Sequence, residues 1–155
     1  MSDWRKLAQN KEEWATVQHN DPRLDAFANE VEARYGLPFG VVEALKNAGE
    51  RTPRAATGWA TSPKGAQGVM QFMPATRKAY EHNVDDPFES IDAAGRYMAD
   101  LMRQYDGNAM AAIAHYNGGT RAGRAVARGQ QAPAAETRAY LQRISTYMDR
   151  KYGGK

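Results

Sequence analysis

Apolar residues recur along this chain at the three- to four-residue spacing of amphipathic helices, and proline and glycine cut that pattern into short units. Asp21-Pro22 and Asp86-Pro87 each read as an N-cap followed by proline at the first helical position. The first of these units runs to Gly36, with Leu24, Phe27, Val31 and Tyr35 on one stripe and glycine as the stop. A second begins near Pro38 and carries Val41, Val42 and Leu45 toward Ala48, Gly49 and Glu50. The stretch 51–66 holds two Pro, two Gly and four Ser or Thr, which predicts the longest loop. The helical pattern resumes at Pro74 and is strongest over 87–105. There Phe88, Ile91, Met98, Leu101, Met102 and Tyr105 repeat near the helical period, as in a buried central helix. Residues 109–116 read as a small-residue helix stopped by Asn117-Gly118-Gly119, with Thr120 as the cap of the arginine-containing piece that follows. A last helix from Pro133 sets Tyr140, Leu141, Ile144, Tyr147 and Met148 on one face. No segment alternates with period two and no internal repeat is visible. The pattern predicts an all-α fold: one domain over 21–152, preceded by a helical extension over 1–20.

Composition narrows the classes. A chain of 155 residues, 42% apolar and 25% charged, can bury a core without disulfides or metals. Cysteine is absent, which excludes thiol nucleophiles and cysteine-ligated zinc. His19, His82 and His115 lack the paired spacing of a metal site and no glycine-rich phosphate loop is present, so no metal or cofactor is implied. No stretch has the apolar length of a membrane span, and MSDWRKLAQNKEEW has no apolar h-region, so neither membrane insertion nor an export signal is expected. The net charge of +3 is uneven: residues 1–117 sum to −3 and residues 118–155 to +6. The basic residues of the second part are spread at helical spacing, as on a solvated helix face. With no nucleic-acid motif beside them, nucleic acid is not expected as a partner.

Candidate chemistry lies in an ordered series. It begins with Glu50 and continues with Ser62-Pro63-Lys64-Gly65-Ala66-Gln67-Gly68-Val69-Met70-Gln71-Phe72-Met73-Pro74. It goes on to Glu89-Ser90-Ile91 with Ala94-Gly95-Arg96-Tyr97, then Ala114-His115-Tyr116-Asn117-Gly118-Gly119, and finally Glu136-Thr137-Arg138-Ala139-Tyr140. Over roughly residues 24 to 146 this series resembles the soluble lytic transglycosylase (SLT) family, lysozyme-like enzymes related to goose-type lysozyme. The resemblance implies a single lysozyme-like α domain that acts on the glycan strands of peptidoglycan. It also implies a catalytic glutamate at the end of a core helix, a Gly-Met-Gln turn lining the sugar cleft and a Tyr-Asn pair facing the glutamate. These map onto Glu50 as catalytic residue and Met70, Gln71, Tyr116 and Asn117 as substrate-binding residues. The sequence departs from the family in having Arg51 where serine is usual after the glutamate, a longer 52–61 segment, and Gly119 where alanine is usual. Asn47-Ala48-Gly49-Glu50-Arg51 is similar to a subset found in bacteriophage virion proteins. With no export signal, delivery to the periplasmic wall by a phage particle, by lysis or by a secretion machine is the expectation, with other virion or secretion-machine proteins as partners.

One glutamate suffices for the implied chemistry. An apolar pocket keeps the acid protonated near neutral pH, so that it can protonate the departing sugar oxygen. In the family the same residue then acts as base toward the C6 hydroxyl of N-acetylmuramic acid, which closes a 1,6-anhydro ring. Hydrolysis would call for a second carboxylate. The stretch 51–77 holds no Asp or Glu, which leaves Asp85, Asp86, Glu89 and Asp92, at or near a helix start where capping is the simpler role. Glu43, one heptad before Glu50, is the rival acid. Met70 and Met73 also fit as core filler, and Asn117-Gly118-Gly119 as an ordinary helix stop. Tyr80, Tyr97, Tyr105 and Tyr140 are aromatic candidates for the saccharide groove, with core as their commoner fate. The alternatives to a transglycosylase are a muramidase on the same fold and a non-catalytic wall-binding virion module.

Overall fold

The computed structural model describes residues 3–50 and 68–153. The expected 51–66 loop lies outside them. Among the described residues the chain is helical, and the one β-type position is an isolated bridge at Phe72. Its contacts divide it into two compact units, Met1–Arg96 and Tyr97–Lys155.

The first unit opens with α1 (Trp4–Gln9), capped by the Asp3 carboxylate, and a 3-10 helix (Lys11–Thr16). Helix α2 (Pro22–Arg34) starts where the sequence places it: Asp21 accepts from the Arg23 amide at 2.8 Å and proline fills the first turn. Its predicted stripe is the buried one, with Leu24, Phe27 and Val31 at 5% exposure or less. Trp4, Phe27 and Phe88 stack around one another at centroid distances of 4.7 to 6.2 Å. Trp14 joins Phe88 at 6.1 Å while its indole N–H donates to the Leu7 carbonyl, so the segment before α2 is tied down by its aromatic rings. After Gly36, whose φ of +67° ends α2, the chain turns into α3 (Val41–Ala44). It continues as a π-helix over Leu45–Glu50, a widening the helical spacing did not predict. Helix α4 (Pro74–Ala79) and α5 (Pro87–Gln104) follow, and Asp86 caps α5 through the Phe88 and Glu89 amides at 2.8 and 3.2 Å. Where α5 meets α2 the residue is Gly95: a Cβ there would strike Val31 Cγ1 and come within 3.1 Å of the Tyr35 ring.

The second unit holds the end of α5, then α6 (Ala109–Gly118), α7 (Thr120–Ala127) and α8 (Ala135–Tyr152). Alanines make it tight: Ala114, Ala122 and Ala132 form a buried cluster covered by Val126 and Leu141. At Gly118 a Cβ would stand 2.6 Å from Thr137 Oγ1 of α8. Asn108 caps α6 by accepting from the Ala111 amide. Thr120 does not cap α7. It is that helix's first residue, and Gly119 holds the N-cap position with no side chain to offer. Among the described residues no helix is long and apolar enough to cross a membrane.

Candidate functional site

Glu50 ends the π-helix of the first unit and is half-buried, five positions after the fully buried Leu45 that begins the turn. A π-turn is uncommon and recurs at functional sites, because its extra residue redirects the side chains that follow. Two buried polar groups hold this segment. The Glu32 carboxylate of α2 accepts from the amides of Gly40, Val42 and Glu43 at 2.7 to 3.0 Å and from Asn29 Nδ2 at 3.0 Å. It thereby supplies acceptors for the orphan donors at the start of α3. Burial raises the Glu32 pKa above the ordinary glutamate value, against the pull of these donors. Lys46 is fully buried, and its ammonium donates to Asp25 Oδ1 at 2.6 Å, to Asn47 Oδ1 at 2.7 Å and to the His19 carbonyl. The sequence pattern passed over Glu32 and Lys46, since charges inside a helical run ordinarily face water. The one available signal was their position among apolar neighbours, Val31 beside Glu32 and Leu45 beside Lys46.

The Gly-Val-Met-Gln turn also lies in the first unit. Gly68 has φ +83°, and a Cβ on it would stand 3.0 Å from the Val84 carbonyl, so only glycine fits. Gln71 adopts φ +51°, uncommon for a residue with a side chain, and its Nε2 donates to the Gly68 carbonyl at 2.8 Å. A half-buried amide held in left-handed backbone is the strained kind of position that concentrates at ligand sites. Met70 is 0% exposed, so it packs under the turn, and Met73 is exposed at 43%.

In the second unit Tyr116 and Asn117 sit half-buried in the last turn of α6, which ends within Asn117-Gly118-Gly119, with Gly119 as its C-cap. The Tyr116 ring lies 5.3 Å from Tyr97, tilted by 35°. Next to it His115 shares a 2.7 Å hydrogen bond through Nδ1 with the Tyr105 hydroxyl. Tyr140 is core, at 1% exposure. Burial lowers the His115 pKa below 6.5, and burial followed by the Lys46 charge lowers that of His19. For a base whose folded pKa is depressed, the stabilising contribution is present above its unfolded value and lost as pH falls through the folded one. The melting temperature is therefore expected to drop as pH falls below about 6.5. Replacing His115 by Gln is expected to flatten that drop, and an unchanged slope in thermal melts across the range would contradict it.

Of the other carboxylates weighed from the sequence, all but that of Asp85 have structural partners among the described residues. Glu43 is fully buried and accepts from Asn29 Nδ2 at 3.1 Å, out of reach of a polymer. Asp86 caps α5, and Glu89 accepts from the Asn83 amide. Asp92 is held by Arg34 at 2.9 Å, by the Tyr35 hydroxyl at 2.8 Å and by Arg96 at 3.4 Å. Asp85 is exposed. Among the described residues no group of three or more His, Asp or Glu is placed to hold a metal ion.

Two comparisons bear on this arrangement. The family model of the transglycosylase SLT domain matches residues 56–139, more than half of the chain, with Glu50 just ahead of the matched segment. Among solved structures the chain is similar to a lytic transglycosylase Slt from Pseudomonas aeruginosa, determined as an inactive glutamate-to-glutamine mutant. The identity is 25% and the TM-score 0.64, over 79% of this chain and 22% of that one.

Proposed function

We propose, from the premise that the chain belongs to the transglycosylase SLT domain family, that it cleaves the β-1,4 bond between N-acetylmuramic acid and N-acetylglucosamine in peptidoglycan, with Glu50 as its single acid and base. The observation that carries this reading is the family match together with a half-buried glutamate at the end of a turn fastened by buried hydrogen bonds, just before the matched segment. Inactivity of the similar Pseudomonas enzyme on changing one glutamate to glutamine agrees with it.

Protonated Glu50 gives its proton to the glycosidic oxygen as the bond to C1 of N-acetylmuramic acid breaks, and the sugar's own acetamido group supports the oxocarbenium-like centre. The Glu50 carboxylate then takes the proton of the C6 hydroxyl, and that oxygen bonds to C1. A 1,6-anhydro end forms, Glu50 regains its proton, and no water is consumed. Attack within one sugar gains the effective molarity that a free water lacks. The Gln71 amide, the Tyr116 hydroxyl and the Asn117 amide contribute by orienting the strand. Met70, being buried, contributes by shaping the turn beneath it. The partners of Asp86, Glu89 and Asp92 support the intramolecular route, because each of these acids is engaged in holding the fold rather than poised to activate water. Asn47-Ala48-Gly49-Glu50-Arg51 supports a place among phage-borne enzymes that reach the periplasmic wall with a virion.

Digestion of purified peptidoglycan sacculi tests the reading. Soluble muropeptides are expected, and a chain that binds sacculi and releases none would be the non-catalytic wall-binding module instead.

A further inference from the structure

We infer that Lys46 is a positioning residue: clasped to Asp25 together with Asn47, it holds the π-turn Leu45–Glu50 in register and so fixes the direction in which Glu50 points. The inference rests on the reading of Glu50 as the catalytic acid. Among the described residues the Lys46 ammonium donates to oxygens of Asp25, Asn47 and His19. Asn47 Nδ2 donates to the same Asp25 Oδ1 at 2.9 Å. Two consecutive residues of the π-turn are thus fastened to one carboxylate in the first turn of α2.

Stability alone does not explain the arrangement. Taking this ion pair out of water costs about as much as its attraction returns, and two apolar side chains of the same volume in place of the pair would do as well or better. What an apolar side chain lacks is direction. A single π-turn inserts one residue into the helical register, so every later side chain is rotated by roughly 100° from its place on an uninterrupted α-helix. Glu50 is the last residue of the turn. Without the clasp, relaxation toward the α-helical register would swing its carboxyl away from the glycosidic oxygen while leaving the packed core beneath it.

Lys46→Met keeps the length and apolar stem and removes the ammonium. Asp25 retains 16% side-chain exposure, so its charge stays in contact with solvent. On a soluble glycan-strand substrate, kcat is expected to fall by about 100-fold with KM changed less than about two-fold. The amides of residues 46–50 are expected to exchange with solvent faster than in the parent. Asp25→Asn, which keeps an oxygen at the clasp, is expected to lose less kcat than Lys46→Met. A folded Lys46→Met protein with parental kcat, or with parental exchange over 46–50, overturns the inference. If Lys46→Met does not fold, Asn47→Ala decides by the same two readouts: lower kcat and faster exchange uphold the clasp, and parental values overturn it. Retained cleavage in Glu50→Gln would defeat the catalytic reading by itself, and the exchange over 46–50 would still judge the clasp.

Discussion

Glu50→Gln is expected to abolish release of soluble muropeptides, a fall of at least about 1000-fold, with a helical spectrum and melting transition close to the parent's. The replacement preserves shape and removes the one proton that the leaving sugar oxygen needs, a contribution that general acids make at roughly 100- to 10,000-fold. In the proposed sequence the same carboxyl works twice, as acid and then as base, so its loss halts both steps. The fold should be indifferent, because Glu50 is half-buried at the end of its turn while Glu32, Lys46 and the apolar side chains hold the segment from within. Near-parental activity would remove Glu50 from the chemistry. Glu43 would not replace it readily, being fully buried and bonded to Asn29.

Glu32→Ala is expected to have the largest effect on stability, on the order of 4 kcal/mol, because it strips acceptors from several buried donors at once. The amides of Gly40, Val42 and Glu43 and the Asn29 amide would lose the carboxylate they converge on, and a cavity would remain at a position 1% exposed. Glu32→Gln retains one accepting oxygen and should lose less. Chemical denaturation of the three proteins checks the order, and a Glu32→Ala protein within about 1 kcal/mol of the parent would mean that water takes over the role of the carboxylate.

The parts of the fold legible in the sequence are those that local chemistry decides. Asp21-Pro22 and Asp86-Pro87 start α2 and α5 because a carboxylate and a proline suit a helix N-terminus whatever surrounds them. The Leu24, Phe27 and Val31 stripe is buried because its spacing matches the helix. The π-turn was not legible: residues 45–50 carry no local mark of it, and its support comes from Asp25, distant in sequence. Glu32 and Lys46 were missed for the same reason, since only tertiary contacts make a buried charge tolerable. Thr120 misled because threonine caps helices well in general, but Gly119 had already taken the turn that precedes α7. Glu50 and the Gly68 to Gln71 turn were proposed as site residues through the order of motifs rather than through physics. The left-handed backbone of Gln71 adds a physical reason that its residue type never signals.

The proposed reaction is tested most directly by the masses of the muropeptides released from purified sacculi. Intramolecular attack by the C6 hydroxyl predicts fragments ending in 1,6-anhydro-N-acetylmuramic acid, each lighter by one water than its hydrolytic counterpart, with almost no new reducing ends. A predominance of reducing N-acetylmuramic acid ends would contradict the account and make the protein a muramidase. It would then direct the search for a base to Asp85, Asp86, Glu89 and Asp92.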